Sequence, residues 1–347
     1  TLLRTILSKS IYWGLFRARP RSFLSRLHKA LRRRQRIQWW PAERIRQRQL
    51  DKLNRLLRHV AVHVPYYKKL HARGYLPDHI ESTEQMASIP VLTKDAILAV
   101  PDELIADNVS PDSLLPRRSG GSSGDPLQFY VSEDAVIESA ASEIWADSLA
   151  GYRLGDPVTV LWGSHFDAPH SKSLKVRLVQ YLCNREVLIS DRMNEEYLSE
   201  ISNACQSFRP AILLGYVAPL VELARYLKDK GACPPCYPRR SIITAAEPLN
   251  SRQRKLLEEV FAKPVFNRYG ARESGLVAME CDRHNGLHID CESLWVDLHP
   301  YTDGPEGACR ILITKLHEFG MPFIRYDLGD YTTSGLGLCS CGRGYPT

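Results

Sequence analysis

Strand-like and helix-like segments alternate along the middle of the chain, and this alternation constrains the fold more than any other feature of the sequence. Short β-branched and aromatic runs, such as LQFYV (127–131) and VTVLW (158–162), stand beside stretches of helical length, such as EDAVIESAASEIWADSLAGY (133–152). Strands separated by helices are typical of units whose strands pair in parallel. We therefore predict an α/β fold, with a layered core and a largely parallel sheet.

The alternation continues through the next hundred residues. VAPLVELARYLKDKG (217–231) has a helical pattern closed by a glycine, and SIITAAEPL (241–249) begins as a strand. NSRQRKLLEEVF (250–261) is a helix pattern in which Asn250 or Ser251 would serve as the N-cap.

The two ends of the chain differ from this middle part. The first hundred residues predict helices, because apolar residues such as Leu53, Leu57 and Val60 recur at three- and four-residue spacing. After residue 286, short strands and turns follow one another. We therefore predict three regions, namely a basic helical N-terminal region (1–100), an α/β ATP-binding core (101–286) and a small, mostly β subdomain (287–347).

Positive charge is concentrated near the N-terminus. The whole chain has a net charge of +7, but residues 1–58 hold 17 Lys and Arg against only Glu43 and Asp51, which is +15 for this part alone. The arginines of LRRRQR (31–36) would face water or a partner. A solvated helix face and contact with an acidic membrane surface both remain open. No groove-reading motif or basic stretch with interleaved aromatics predicts nucleic-acid binding.

Composition favours a cytoplasmic protein, with any membrane contact limited to its periphery. No uncharged apolar run approaches the roughly 20 residues that a membrane-spanning helix needs. Nine cysteines without a regular framework favour reduced thiols. Cys233 and Cys236 have the C-x-x-C spacing of redox motifs, but they stand in a proline-rich loop after a helix, so we interpret them as structural.

The segment SGGSSGDP (119–126) concentrates glycine and serine between Arg117, Arg118 and the strand-like run that follows. Its composition would suit a flexible linker. A loop of this kind also exposes backbone N–H groups and hydroxyls, which bind phosphate oxygens. It lacks the lysine that follows the last glycine of the common nucleotide-binding P-loop. The residues alone leave a phosphate site and a plain turn about equally open.

Four motifs together resemble those of the adenylate-forming ligase superfamily. In chain order they are SGGSSGDP (119–126), TAAEP (244–248), YGARES (269–274) and IRYDLGD (324–330). The chain is similar in particular to the phenylacetate–CoA ligase and capsule-biosynthesis branch, also in HVPYYKKLHARGY (63–75) and ECDRHNGLHI (280–289). The resemblance spans nearly the whole chain. It implies an enzyme that activates a small carboxylic acid with ATP to an acyl-adenylate, and then transfers the acyl group to a thiol, of coenzyme A or a carrier protein, or to an amine.

The resemblance also implies roles for individual residues. The residues implied to grip the phosphates are Ser119, Gly120, Gly121, Ser122, Ser123 and Gly124. The residues implied to contact the rest of the nucleotide are Ala246, Glu247 and Pro248 at adenine, Tyr269 and Gly270 beside it, and Asp330 at the ribose hydroxyls.

Glu273 is implied to hold Mg²⁺, whose charge neutralises the phosphates. Arg272 stands where the superfamily often has Thr, and its planar guanidinium can still contact phosphate. Asp125 stands where Lys is frequent. His165 follows a strand-like run and is a candidate for the acyl pocket, with an ordinary loop histidine as the alternative.

The superfamily continues past the Cys–Gly–Arg segment into a C-terminal lid of about 100 residues, which carries a lysine that stabilises adenylation. The resemblance implies that this lid is absent from the chain, which ends at Thr347, so that ATP binding would survive better than turnover. The alternative functions are a nucleotide-binding scaffold without ligase turnover and a membrane-associated module.

Cysteine and histidine concentrate in CDRHNGLH (281–288) and CSC (339–341). Structural zinc takes four Cys or His ligands in a tetrahedron. Cys281, Cys339 and Cys341 would supply three of them, and His288 or His284 the fourth. The resemblance favours this zinc site, and free thiols in turns are the alternative.

Overall fold

The computed structural model describes residues 22–119, 126–162 and 180–347. The α-helices in this part are α1 (Phe23–Ile37), α2 (Ala42–His63), α3 (Pro65–Ala72), α4 (Lys94–Ala99), α5 (Glu133–Leu149), α6 (Glu195–Phe208), α7 (Val217–Asp229) and α8 (Ser251–Phe261). The strands are β1 (Leu115–Arg118), β2 (Gln128–Val131), β3 (Val158–Trp162), β4 (Arg185–Ile189), β5 (Ile212–Tyr216), β6 (Ser241–Ala245), β7 (Val265–Ala271), β8 (Gly275–Glu280), β9 (Leu287–Ile289), β10 (Leu294–Pro300), β11 (Cys309–Lys315) and β12 (Tyr326–Thr332).

Seven strands form one sheet in the order β4-β3-β5-β6-β7-β8-β9. Strand β3 pairs in parallel with β4 and β5, and β6 pairs in parallel with β5 and β7. Strands β5 and β6 are buried along nearly their whole length, as parallel strands covered by helices are. The predicted α/β class with a largely parallel sheet is therefore confirmed.

The N-cap of α8 shows why this helix begins where the sequence predicts. Asn250 Oδ1 accepts a hydrogen bond of 2.9 Å from Gln253 N, and Gln253 Oε1 accepts one of 3.0 Å from Asn250 N. This reciprocal capping box satisfies two backbone donors that a helix start leaves unpaired. Of the two predicted caps, Asn250 is the one that the structure uses.

Short strands follow at the C-terminal end, as the sequence predicts, and the structure shows antiparallel pairing among them. Strands β10, β11 and β12 form a three-stranded sheet, in which Leu294 stands opposite Lys315. Strand β9, in contrast, joins the large sheet. Strands β1 and β2 form a separate antiparallel pair around the glycine–serine segment.

The chain divides into two compact units. The first is built mainly from residues 143–269 and the second mainly from residues 30–142 and 288–347, while the segment 270–287 contributes its first part (270–277) to the second unit and the remainder to the first. Each unit has its own apolar core, from α6 to α8 with the parallel strands in the first, and around α2 and the three-stranded sheet in the second. The predicted division into three regions stays a prediction.

The expectation that the arginines of residues 31–36 face water or a partner is wrong for two of them. Arg34 is fully buried, with Nη1 2.7 Å from Glu138 Oε2 and Nε 3.1 Å from Asp290 Oδ2. Arg33 bridges Glu138 at 2.6 Å and Glu292 at 2.5 Å. These carboxylates are withdrawn from water, so they require positive partners inside the fold.

Two cations from α2 complete the group, which we call the N-terminal ion cluster. Arg48 Nε lies 2.6 Å from Glu292 Oε1, and Lys52 Nζ lies 2.9 Å from Glu292 Oε2. The cluster comprises Arg33, Arg34, Arg48, Lys52, Glu138, Asp290 and Glu292. Arg32 and Arg36, in contrast, are exposed.

Within the described ranges, no helix has both the length and the apolar character that crossing a bilayer would demand.

Candidate functional site

The predicted site residues divide between the two units, and each group is described by itself. In the first unit, the parallel strands β3, β5 and β6 end at the same edge of the sheet. In open α/β sheets, ligands bind outside the carboxyl ends of the strands.

Two aromatic side chains stand at this edge in the first unit. Trp162 ends β3 and Tyr216 ends β5, and their ring centroids are 4.9 Å apart. Both are half-buried. We did not predict this pair, although each ring closes an apolar, strand-like run, which was the available signal. The ring planes are tilted by 57°, so the pair offers an angled apolar surface to a ligand.

Ala246 follows β6 directly and has φ 67°, in the left-handed region that few residues other than glycine adopt. Glu247 Oε2 accepts a hydrogen bond of 2.6 Å from Ala218 N at the beginning of α7. The Glu247 side chain therefore anchors the turn, and Pro248 beside it is exposed. Tyr269 stands level with Ala246, because Thr244 pairs with Asn267 in the register of β6 and β7.

In the second unit, Ser119 secures the base of the glycine–serine segment. Its backbone N donates to Leu127 O at 2.9 Å, and its hydroxyl oxygen accepts from Leu127 N at 2.8 Å. Ser119 is buried, so its hydroxyl closes the loop. The other predicted phosphate ligands, Gly120, Gly121, Ser122, Ser123 and Gly124, lie outside the described residues, as does His165.

The YGARES motif forms a tight turn between β7 and β8. Gly270 is required there, because a Cβ on it would come within 2.6 Å of Gly275 O. Arg272 Nη1 lies 3.4 Å from Ser119 O, so the arginine reaches the base of the glycine–serine segment. The second unit thus brings Arg272 and Ser119 together, and the predicted magnesium ligand Glu273 follows Arg272 directly in the chain.

Two residues that we did not predict lie within the electrostatic reach of Glu273. Burial lowers the pKa of Lys315, the negative charges of Glu318 and Glu273 raise it, and the positive charge of Arg117 lowers it further. Burial raises the pKa of the Tyr326 hydroxyl, and so does the charge of Glu273. Lys315 ends β11 and Tyr326 begins β12. At these positions the sequence pattern predicts a strand but no functional residue.

Asp330 lies on β12 and is exposed. The other acid of this strand, Asp327, is bound by Arg310 Nη1 at 2.7 Å and by Gly329 N at 2.9 Å. The beginning of β12 is held by Arg325, whose Nε donates to Asp297 Oδ2 at 2.8 Å. Asp330 therefore projects from a firmly held strand, as a ligand-binding carboxylate should.

A cavity of about 290 Å³ opens beside the same sheet. Its polar lining includes Thr93, His299, Arg310 and Asp327. The Arg310–Asp327 ion pair neutralises the two charges that face it, so the cavity offers no net charge to a phosphate.

The second unit brings together three of the predicted zinc ligands, His288, Cys339 and Cys341, whose ligand atoms lie within 4.8 Å of one another. The fourth, Cys281, belongs to the first unit. Cys281, His288 and Cys339 are buried, and Cys341 is half-buried. Three thiols and one imidazole are a donor set typical of structural zinc.

The orientation of His288 fits such a metal. Its Nδ1 lies 3.0 Å from Tyr345 O, a carbonyl that can only accept, so Nδ1 carries the proton. Nε2 therefore presents its lone pair toward Cys341 Sγ, 3.3 Å away. Burial raises the pKa of the Cys341 thiol, but hydrogen bonds from Arg343 and Cys339 lower it more, so that its pKa lies below the ordinary value.

The alternative ligand, His284, is engaged elsewhere. Its Nδ1 lies 3.2 Å from both Glu280 Oε2 and Arg254 Nη1. Cys233 and Cys236 are free and exposed, so these two thiols form no disulfide.

Known proteins resemble the chain in sequence, although no protein-family model matches it. It is 27 % identical over 328 residues to a phenylacetate–coenzyme A ligase of Thermus thermophilus, covering 87 % of this chain and 68 % of that protein. It is 24 % identical over 317 residues to a phenylacetate–coenzyme A ligase of Pseudomonas putida, covering 83 % and 66 %. The chain thus spans about two thirds of the length of these relatives.

Solved structures share the fold. An open conformation of 2-hydroxyisobutyryl-CoA ligase, in complex with 2-HIB-AMP and CoA, has a TM-score of 0.69 at 19 % identity, over 86 % of this chain and 71 % of that one. The same ligase in the postadenylation state, in complex with R3-HIB-AMP, has a TM-score of 0.72 at 17 % identity, over 88 % and 67 %. The chain is therefore similar in sequence to phenylacetate–coenzyme A ligases and shares the fold of 2-hydroxyisobutyryl-CoA ligase.

Proposed function

We propose that the protein is an AMP-forming carboxylate–CoA ligase. In the first step, a carboxylate oxygen of a small organic acid attacks the α-phosphorus of ATP, and pyrophosphate leaves. In the second step, the thiolate of coenzyme A attacks the acyl carbon, and AMP leaves. A carrier-protein thiol or an amine would take the place of coenzyme A by the same chemistry.

The observation that carries this proposal is the similarity to phenylacetate–coenzyme A ligases over 83–87 % of the chain. The four motifs that resemble the superfamily support it. Glu273 is the proposed Mg²⁺ ligand, and Asp330 the proposed partner of the ribose hydroxyls. Ser122 and Ser123 are proposed to donate to the phosphates, while His165 is proposed to face the acyl group.

Exchange of labelled pyrophosphate into ATP tests the first step without needing the acceptor. The full protein is assayed with a panel of aromatic and small aliphatic acids. Exchange that depends on one class of acid supports the ligase. Measurable ATP binding without exchange for any acid would favour the nucleotide-binding scaffold instead.

A matched pair of variants links the activity to the proposed metal ligand. Glu273→Gln should lower exchange by about 100-fold or more, because a metal ion contributes several kcal/mol of charge stabilisation in the transition state. Glu306→Gln changes an exposed acid outside the motifs and should leave exchange unchanged. Equal rates for the two variants would remove Glu273 from the mechanism.

We also propose that Cys281, His288, Cys339 and Cys341 bind one structural zinc ion. The donor set, and the His288 tautomer that Tyr345 O selects, support this. Zinc bound here would tie the segment 281–288 to the segment 339–341 and would stabilise the fold.

Elemental analysis of protein purified without chelators tests the site. We expect about one zinc per chain, lost in Cys339→Ser together with thermal stability. Cys233→Ser changes an exposed thiol outside the cluster and should retain the metal. Zinc content near zero in the unmodified protein would contradict the proposed metal site.

We also propose a peripheral membrane contact, for which residues 31–36 offer fewer exposed arginines than the sequence predicts. Arg33 and Arg34 are paired inside the fold, so Arg32 and Arg36 are the exposed cations of residues 31–36. Replacing both by Gln should weaken binding to anionic vesicles by about tenfold. Unchanged flotation of this variant would argue against α1 as a membrane surface.

A further inference from the structure

Lys315, the last residue of β11, is a buried cation with no acidic partner among the residues that the structure describes. Its relative exposure is 9 %. Across residues 22–119, 126–162 and 180–347, no carboxylate oxygen lies within the 4.0 Å of an ion pair from its Nζ. Withdrawing an ammonium group from water without a partner is costly. Violations of this kind are expected where a ligand supplies the missing charge.

Glu318, the acid nearest in sequence, is committed to the backbone. Its Oε1 accepts a hydrogen bond of 2.9 Å from Gly320 N, and its Oε2 accepts one of 2.9 Å from Ser132 N. Both oxygens thus hold turns in place, and neither pairs with Lys315.

Charged groups of both signs act on Lys315 within the second unit, and the acids among them are Glu318 and Glu273. Arg117 influences Lys315 electrostatically and stands two residues before Ser119, at the base of the glycine–serine segment. Arg272 reaches the same base through its contact of 3.4 Å with Ser119 O. Glu273, the proposed metal ligand, also acts on Lys315. Because the oxygens of Glu318 are bound to backbone N–H groups, Lys315, Arg117 and Arg272 leave positive charge for a polyanionic ligand beside the proposed metal ligand Glu273.

We propose that Lys315 binds a phosphate group of the nucleotide. This inference rests on the proposed ATP site and adds a residue that none of the four motifs contains. A lysine ammonium is a compact charge with three donors, which suits a phosphate held together with a divalent metal ion.

Calorimetric titration of the full protein with Mg·ATP, AMP and adenosine tests the proposal. Lys315→Met keeps the length and apolar character of the side chain but removes its charge. We expect ATP to bind about tenfold more weakly to this variant, as the loss of a charge-assisted contact predicts, while the affinity for adenosine changes by less than about twofold. Lys315→Arg should retain most of the affinity for ATP.

Lys255→Met is the matched control, because the Lys255 side chain is 78 % exposed on α8. It should bind all three ligands as the unmodified protein does. A loss for ATP and AMP alike places Lys315 at the α-phosphate, and a loss for ATP alone places it at the β- or γ-phosphate. Unchanged ATP affinity, an equal loss for adenosine, or a raised KM for the acid alone would overturn the proposal.

The failure of the proposed function has a different signature. If the unmodified protein binds neither ATP nor AMP, the ATP site itself is wrong. Inorganic pyrophosphate is then titrated into the unmodified protein and into Lys315→Met. This comparison tests whether Lys315 contacts phosphate. Weaker binding by the variant supports a phosphate contact, and equal binding or none overturns it.

Discussion

Lys52 and Lys315 are two lysines of the second unit that are almost equally buried, at 8 % and 9 % exposure. Lys52 Nζ lies 2.9 Å from Glu292 Oε2 and 2.7 Å from Glu292 O. Lys315 has no such acid among the residues that the structure describes. Burial lowers the pKa of Lys52 to about 8, although Glu292 raises it.

The difference separates a structural charge from one that a ligand can use. In the N-terminal ion cluster, each buried cation meets a carboxylate, and the attraction offsets the cost of desolvation. Within the described part of the chain, Lys315 bears that cost without a close ion pair and has only the longer-range attraction of Glu318 and Glu273. A basic residue in the sequence therefore indicates a binding surface only where the fold has not already neutralised it.

The largest expected effect is at the centre of the N-terminal ion cluster. Glu292→Gln should lower the free energy of unfolding by about 3–5 kcal/mol, because Arg33, Arg48 and Lys52 all lose their shared carboxylate. Denaturant unfolding followed by circular dichroism measures this. Glu222→Gln removes an acid that forms a surface ion pair with Arg225 and should cost less than about 1 kcal/mol. A loss below about 1 kcal/mol at Glu292 would show that the cluster does not hold the fold together.

The two lysines should respond in opposite directions in the absence of nucleotide. Lys52→Met should lower the free energy of unfolding by about 2 kcal/mol, a moderate value because Glu292 keeps two arginines. Lys315→Met should leave it unchanged or raise it by up to about 1 kcal/mol. Chemical denaturation of both variants under the same conditions makes the comparison. Equal destabilisation would mean that Lys315 also has a structural partner.

Acid should weaken the cluster through Glu138. Burial raises the pKa of this carboxyl group, but the charges of Arg34, His317 and Arg33 outweigh it and lower the pKa from 4.5 to about 2. Because the folded pKa is the lower one, the stabilisation is fully present above about pH 4.5 and is lost as the pH falls toward about 2. The full loss is on the order of 3 kcal/mol.

Unfolding measured across this range checks the prediction, and Glu138→Gln should flatten the slope between about pH 4.5 and 2. Burial, together with the positive charge of Lys52, lowers the pKa of His317 from 6.5 to about 4, so this histidine weakens the fold at a higher pH, between those two values. The Gln variant should keep the histidine contribution and enlarge it, because the Glu138 charge that raises the pKa of His317 is lost. An identical slope in both proteins would remove Glu138 as its origin.

The smallest effect is expected at Arg36, which is exposed two residues after Arg34. Arg36→Gln should change the free energy of unfolding by less than about 0.5 kcal/mol. Arg34→Gln should cost several times more, because Asp290 and Glu138 both lose their contact with Arg34, although Glu138 keeps Arg33. Similar values for the two would contradict the burial of Arg34.

Local chemistry in the sequence determined the fold class and most of its elements. The apolar runs of β3, β5 and β6 are buried strands, Asn250 caps α8, and short strands close the chain. Such features depend on neighbouring residues, so periodicity and capping chemistry reveal them. The zinc site of Cys281, Cys339 and Cys341 stays a prediction, and the sequence left its histidine open between His284 and His288.

The tertiary structure alone decided which charges face water and which histidine turns toward the thiols. Arg34 and Arg36 stand in one basic run. The acids that pair with Arg34, however, are Glu138 and Asp290, which lie more than 100 positions away in the sequence. Lys315 ends an ordinary strand pattern and becomes distinctive only because no acid of the described ranges pairs with it. Electrostatic energy depends on distance and burial, which are properties of the folded chain and not of neighbours along the sequence.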